Sequence, residues 1–152
     1  MRVRPGRESD ADAVTALLVE LRDFQAALQP GNPRFRVAGE TWAEEARRTL
    51  SDPAWRVFVA EEDGRVVGFA SLRFARKPWG TSCEVDSLVV ADANRGRGIG
   101  RALMGACESH GRSAGAAGMR LHVTAGNDAA VNFYERLGYE ALAVRMGKPL
   151  AE

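Results

Sequence analysis

Arg95-Gly96-Arg97-Gly98-Ile99-Gly100-Arg101 sets three glycines at alternate positions between two stretches of different periodicity. Upstream, Glu84-Val85-Asp86-Ser87-Leu88-Val89-Val90 is rich in β-formers, and downstream Ile99, Leu103, Ala106 and Cys107 fall on one helical face. The stretch is therefore a glycine-rich turn leading from a strand into a helix. Glycine lets the backbone approach a ligand without a Cβ in the way. The free amides and the positive end of the following helix point at the turn, so a pyrophosphate is its natural guest. Arg95, Arg97 and Arg101 add charge that suits phosphate oxygens.

Two common phosphate motifs are excluded. A Walker loop requires a Gly-Lys-Ser/Thr that is missing here. A dinucleotide fingerprint counted from Gly96 and Gly98 requires glycine where Arg101 stands.

Working outward, the periodicity predicts a short strand from Val3, then a helix over Ser9–Leu28 with Ser9 as N-cap, and a loop from Gln29 to Gly39. A second helix carries Trp42, Ala46 and Leu50 on one stripe and ends before Pro53. Trp55–Ala60 and Val66–Phe74 flank Asp63-Gly64 as a hairpin, and a third strand spans Ser82–Val90. After the helix that follows the turn come a strand over Met119–Thr124, a helix capped by Asn127 and stopped by Gly138, and a last strand from Tyr139 to Met146. This order predicts one α/β domain over residues 1–152. Its sheet is mixed and mostly antiparallel, with one central parallel pair joined through a helix.

Composition narrows the partners. The 152 residues suffice for one core, and a net charge of +1 gives no global field toward nucleic acid or an anionic membrane. No apolar run is long enough to span a bilayer, and the N-terminus has no apolar leader, so a cytoplasmic location is expected. His110 and His122 lack partners at metal-ligand spacing, so no metal is expected. Cys83 and Cys107 read as reduced, partly buried thiols. The preference for arginine over lysine reads as a bacterial composition bias.

Arg95-x-x-Gly98-x-Gly100 resembles the coenzyme A pyrophosphate loop of the GNAT superfamily of N-acetyltransferases. The likeness extends from Val57 to Gly138 and includes Asn127-x-x-Ala130-x-x-Phe133-Tyr134-Glu135-Arg136-Leu137-Gly138-Tyr139. It implies acetyl-CoA as co-substrate and a splayed parallel pair whose opening takes the pantetheine arm like an extra strand. Backbone groups of Leu88, Val89 and Val90 would pair with the arm, and Arg95, Gly96, Arg97, Gly98, Ile99, Gly100 and Arg101 would hold the pyrophosphate. Asn127 and Asn132 correspond to family positions near the arm. Tyr134 matches the tyrosine that protonates the departing sulfur, and an amide near Val90 would hold the oxyanion.

An amine of pKa ~10 must lose a proton before it attacks a thioester. Glu84 matches, by its spacing to Arg95, a catalytic glutamate of some family members. Asp86 shares its strand face by alternation, and His122 or a water relay are further candidates for the base. For the acceptor site, Phe35, Trp42 and Trp79 offer apolar walls. Arg34 and Arg36 suit a carboxylate, whereas Glu84 and Asp86 suit a cation, so the amine of a small molecule or peptide is left unnamed. Only fourteen residues follow Gly138, which implies a short final hairpin and a sheet edge for a second copy, as in a homodimer, to complete. A non-catalytic acyl-CoA sensor on the same fold is the alternative reading.

Overall fold

The computed structural model describes residues 1–35, 37 and 39–150. β2 (Trp55–Glu62) and β3 (Arg65–Lys77) pair antiparallel across Asp63 and Gly64, whose φ values of 50° and 74° give the turn a twist that matches the strands. β1 (Arg2–Pro5) joins β2, and β4 (Gly80–Val90) returns along β3, both antiparallel. β5 (Gly118–Leu121) follows α3 (Ile99–Ser113) and pairs parallel with β4, giving the order β1-β2-β3-β4-β5. α4 (Asp128–Arg136) closes the succession of elements. The chain is thus a mixed, mostly antiparallel sheet with one parallel pair, flanked by helices.

Each face of the sheet has its own core. α1 (Ala11–Leu28) and α2 (Gly39–Ser51) bring Val14, Leu17, Leu18, Trp42 and Ala46 onto Val59, Phe69 and Val89. On the other face α3 sets Leu103, Met104 and Cys107 against Leu72, Cys83 and Val85, with Phe133, Tyr134 and Leu137 of the α4 region packed at the margin. Burying each such aliphatic side chain contributes about 2 kcal/mol.

A β-bulge in β4 inverts the facing of its second half. Leu72 lies opposite Val85 but Ser71 lies opposite Ser87, which leaves Asp86 as the extra residue. Cys83 and Val85 therefore face α3, as do Leu88 and Val90, while Val89 faces α1 and α2.

β3 and β4 approach closely at Gly68. A Cβ there would meet the Val89 carbonyl oxygen at 2.9 Å and Leu103 at 3.2 Å. Gly68→Ala is expected to cost about 2 kcal/mol by overpacking. Urea unfolding measures this, and an unchanged midpoint would mean that the strands separate without penalty.

Three sequence expectations need correction. Glu8–Asp10 is a 3-10 turn and α1 begins at Ala11. Ser9 does not cap it; the Asp10 carboxylate accepts the Arg7 amide at 2.8 Å and is held by the buried Arg4 at 2.8 Å and 3.0 Å. The strand expected over Met119–Thr124 spans only Gly118–Leu121, because β5 departs from β4 beyond Leu121. The last strand, expected over Tyr139–Met146, is not formed, and Val144 and Met146 are 87% and 94% exposed. Its alternation finds no adjacent strand among the described residues to complete a ladder. As a result the parallel pair stands at one end of the sheet order.

Candidate active site

The parallel pair is joined over only four positions, from Ser82 opposite Gly118 to Val85 opposite Leu121. Beyond Val85 the strands separate, and Asp86–Val90 have β3 on one side only. Hydrogen-bond phase tells which backbone groups are free. The Ala91 amide donates to the Val67 carbonyl at 2.8 Å, so alternate residues Val89 and Ser87 also direct their amides at β3. The backbone groups of Leu88 and Val90 then point into the opening, and the Val90 carbonyl there accepts Arg95 Nε at 3.0 Å.

The glycine turn borders this opening. Gly98 caps α3 in the left-handed region, with φ 83°, and the first intrahelical bond runs from the Ala102 amide to the Gly98 carbonyl at 3.0 Å. The preceding amides, Gly98 to Arg101, are the orphan donors of the helix start. A Cβ on Gly96 or Gly98 would meet nothing within 4 Å, so a ligand has open access to the backbone. At Gly100 a Cβ would instead meet Phe133 at 3.3 Å, which seats α4 against the turn.

The three arginines differ. Arg95 pairs with Glu20 and Asp92, each at 3.3 Å, and braces the turn through Val90. Arg97 pairs with Glu62. Arg101 is exposed and has no ion pair among the described residues.

Asn127 caps α4 by accepting the Ala130 amide at 3.2 Å, and Asn132 lies on its exposed side. Tyr134 packs between Phe133 and Tyr139, with ring centres 5.1 Å and 5.7 Å away. Its hydroxyl has no hydrogen-bond partner among the described residues, and burial pushes its pKa up to about 12. The phenol therefore holds its proton throughout the neutral range.

Tyr134, Leu88 and Val90 thus gather with the turn on the α3 face. Glu84, by alternation with Cys83 and Val85, lies on the opposite side of β4, and Asp86 lies there too, beside Ser87, Glu45 and Val14. His122 is exposed beyond the end of β5. Phe35 and Trp42 are buried under α1, whereas Trp79 is 77% exposed at the β3–β4 turn. Arg34 lies over the Phe35 ring at 5.7 Å, and Arg36 lies outside the described residues.

One residue the sequence reading passed over stands out. Arg22 follows Val14 and Leu18 along the buried stripe of α1 and is itself buried. A charge at i+4 from a core leucine was the available signal.

The family model described as the acetyltransferase (GNAT) family matches residues 20–139. A mycothiol acetyltransferase from Propionibacterium freudenreichii is 33% identical over 72% of this chain and 36% of its own length. The chain thus spans about a third of that relative. The N-alpha-acetyltransferase RimI of Mycobacterium tuberculosis is 30% identical over 90% of this chain and 85% of its own. The solved structure of a tetramutant of the BH1408 protein from Bacillus halodurans shares the fold, with a TM-score of 0.89 over 99% of this chain and all of that one, at 22% identity.

Proposed function

The chain belongs to the acetyltransferase (GNAT) family, and we propose that it transfers an acetyl group from acetyl-CoA to a primary amine of a small molecule or peptide by direct attack. The observation that carries this reading is the free edge of β4 over Asp86–Val90, which leads into the glycine turn, with Leu88, Val90 and Tyr134 packed against one cluster on the α3 face.

The residues present fit acetyl-CoA. The orphan amides from Gly98 to Arg101 and the open space over Gly96 and Gly98 suit a pyrophosphate, with the exposed Arg101 beside them. Arg95 and Arg97 serve to stiffen the turn through their carboxylate partners. Leu88 and Val90 offer outward backbone groups to a pantetheine arm, as an edge strand does to an added strand. Acetyl-CoA supplies the activated thioester. The Val90 amide is suited to hold the charge that develops on the thioester oxygen. Tyr134, protonated and without another partner among the described residues, gives its proton to the departing sulfur.

Direct attack is favoured by the state of the thiols. Burial pushes Cys83 up to about 11 and Cys107 up to about 12, so neither supplies a thiolate at neutral pH. The amine enters from the α1–α2 face, where Asp86 and Glu84 are the candidate bases. The relatives carry names that point to different acceptors, a small thiol-containing molecule for one and an α-amine for the other, which leaves the acceptor to be found by assay.

Calorimetric titration with acetyl-CoA, followed in the same cell by a pooled amine panel, tests the reading. Binding with heat of turnover is expected. Binding without turnover across amines would favour an acyl-CoA sensor, and no binding would end the proposal. The base is tested separately by pH–rate profiles of Glu84→Gln and Asp86→Asn. The variant that removes the base loses the acidic limb of kcat/KM and drops in rate by about 10²-fold. If both keep the limb, a water relay takes the proton.

A further inference from the structure

β5 is an edge strand. It pairs with β4 on one side, and no strand of the described residues lies along its other side. That outer edge presents backbone amides and carbonyls without a ladder, on a strand whose Gly118 and Arg120 are exposed. Soluble proteins seldom leave such an edge uncovered, because it is a template for another strand.

The same chain carries a strand-like segment that finds no sheet. Tyr139 fixes its start just after α4. The Tyr139 amide donates to the Tyr134 carbonyl at 3.0 Å, its ring packs on Tyr134, and its hydroxyl donates to Glu108 at 3.5 Å. From there residues 139–150 run on without a helix, a turn or a ladder. Leu142, Val144 and Met146 alternate with Ala141, Ala143 and Arg145, the pattern of a strand with one apolar face, and Gly147 and Pro149 close the run. Yet Leu142, Val144, Met146 and Leu150 are 70%, 87%, 94% and 90% exposed. Single exposed apolar residues are ordinary, whereas a continuous apolar stripe marks an interaction surface.

Two unsatisfied features of one chain thus complement each other: an edge that lacks a strand, and a strand that lacks an edge. Within one molecule they stay apart. Two copies can join both at once, since a two-fold axis that sets the segment of one beside β5 of the other does the same in reverse. Four exposed apolar side chains from each copy come to roughly 1,000 Å² of buried surface before the strand edges are counted, close to the size of a stable specific interface.

We propose that this chain forms a two-fold dimer by strand exchange, in which residues 141–146 of each copy pair along the free edge of β5 in the other. Leu142, Val144 and Met146 then extend the apolar row that Met119 and Leu121 begin on the α3 face. The added strand gives β5 a second neighbour and so steadies one wall of the opening between β4 and β5. Nothing in this exchange depends on the acetylation reading.

Light scattering at micromolar concentration and amide hydrogen exchange of the full chain test it together. Wild type is expected to show the mass of two chains, with the amides of residues 141–146 and of β5 protected. Val144→Asp sets a charge in the apolar stripe and is expected to weaken self-association by at least about 100-fold. Both segments should then exchange at least about 10-fold faster. Val144 faces solvent within one chain, so the variant should keep the circular dichroism of wild type. Leu142→Asp repeats the test at a second position of the stripe and should likewise give a folded monomer. A wild-type monomer would overturn the proposal, and protection of residues 141–146 in that monomer would mean that they fold back on their own β5. A dimer that persists in both variants, or one whose residues 141–146 exchange freely, would put the contact elsewhere and overturn it as well.

Discussion

Gly98→Val is expected to weaken acetyl-CoA binding by at least about 100-fold, or roughly 2.7 kcal/mol. Two causes act together. The φ of 83° at this N-cap is reached at little cost by glycine but is a true outlier for a β-branched residue, so the substitution strains the turn itself. A side chain at this position would also project into space that the protein leaves open, in front of the orphan amides of α3. Calorimetry with acetyl-CoA measures the loss. Circular dichroism and the melting temperature separate it from unfolding, and Gly98→Ala, with a smaller obstruction, should fall between. Affinity equal to wild type in a folded Gly98→Val protein would remove the turn as the phosphate site.

The second large effect is on chemistry rather than on binding. Tyr134→Phe keeps the ring that packs between Phe133 and Tyr139 and removes only the hydroxyl. Turnover is expected to fall by about 10²-fold while affinity for acetyl-CoA stays within about 2-fold. Burial pushes the phenol up to about 12, so its proton is retained as pH rises through the neutral range and beyond. Its loss as an acid therefore begins only near that value, and any decline in rate at lower pH belongs to another group. Full activity in the phenylalanine variant would exclude the tyrosine as the acid.

Much of this arrangement was legible in the sequence because it depends on local pattern. The positive φ values at Asp63 and Gly64, the N-cap of Asn127 and the glycine turn before α3 all follow from residue chemistry within a few positions. The family likeness rested on the same short-range signals and agrees with the family match over residues 20–139. What stayed hidden depends on partners distant in the chain. The sequence points Arg95 and Arg97 toward phosphate, but not to their pairing with Glu20 and Glu62, which lie 75 and 35 residues away. Ser9 looked like the cap of the first helix, but buried Arg4 draws Asp10 into that place. The alternation of Leu142, Val144 and Met146 is that of a strand, and alternation alone cannot supply the neighbour a strand needs. The burial of Arg22 was hidden for a similar reason, since it is set by what packs around it.

The single extra residue at Asp86 has a wider consequence. Without it, one side of β4 would carry the odd-numbered side chains throughout, in one continuous alternating code. With it, the code changes phase where the proposed donor and acceptor would meet. Under the proposed function, Leu88 and Val90 would serve the acyl donor on the α3 face, and Asp86 and Ser87 the acceptor on the α1–α2 face. On that proposal, acceptor preference could drift by substitution at two neighbouring sites while the donor side kept its lining, and β4 would work as a partition between a fixed chemistry and an adjustable clientele.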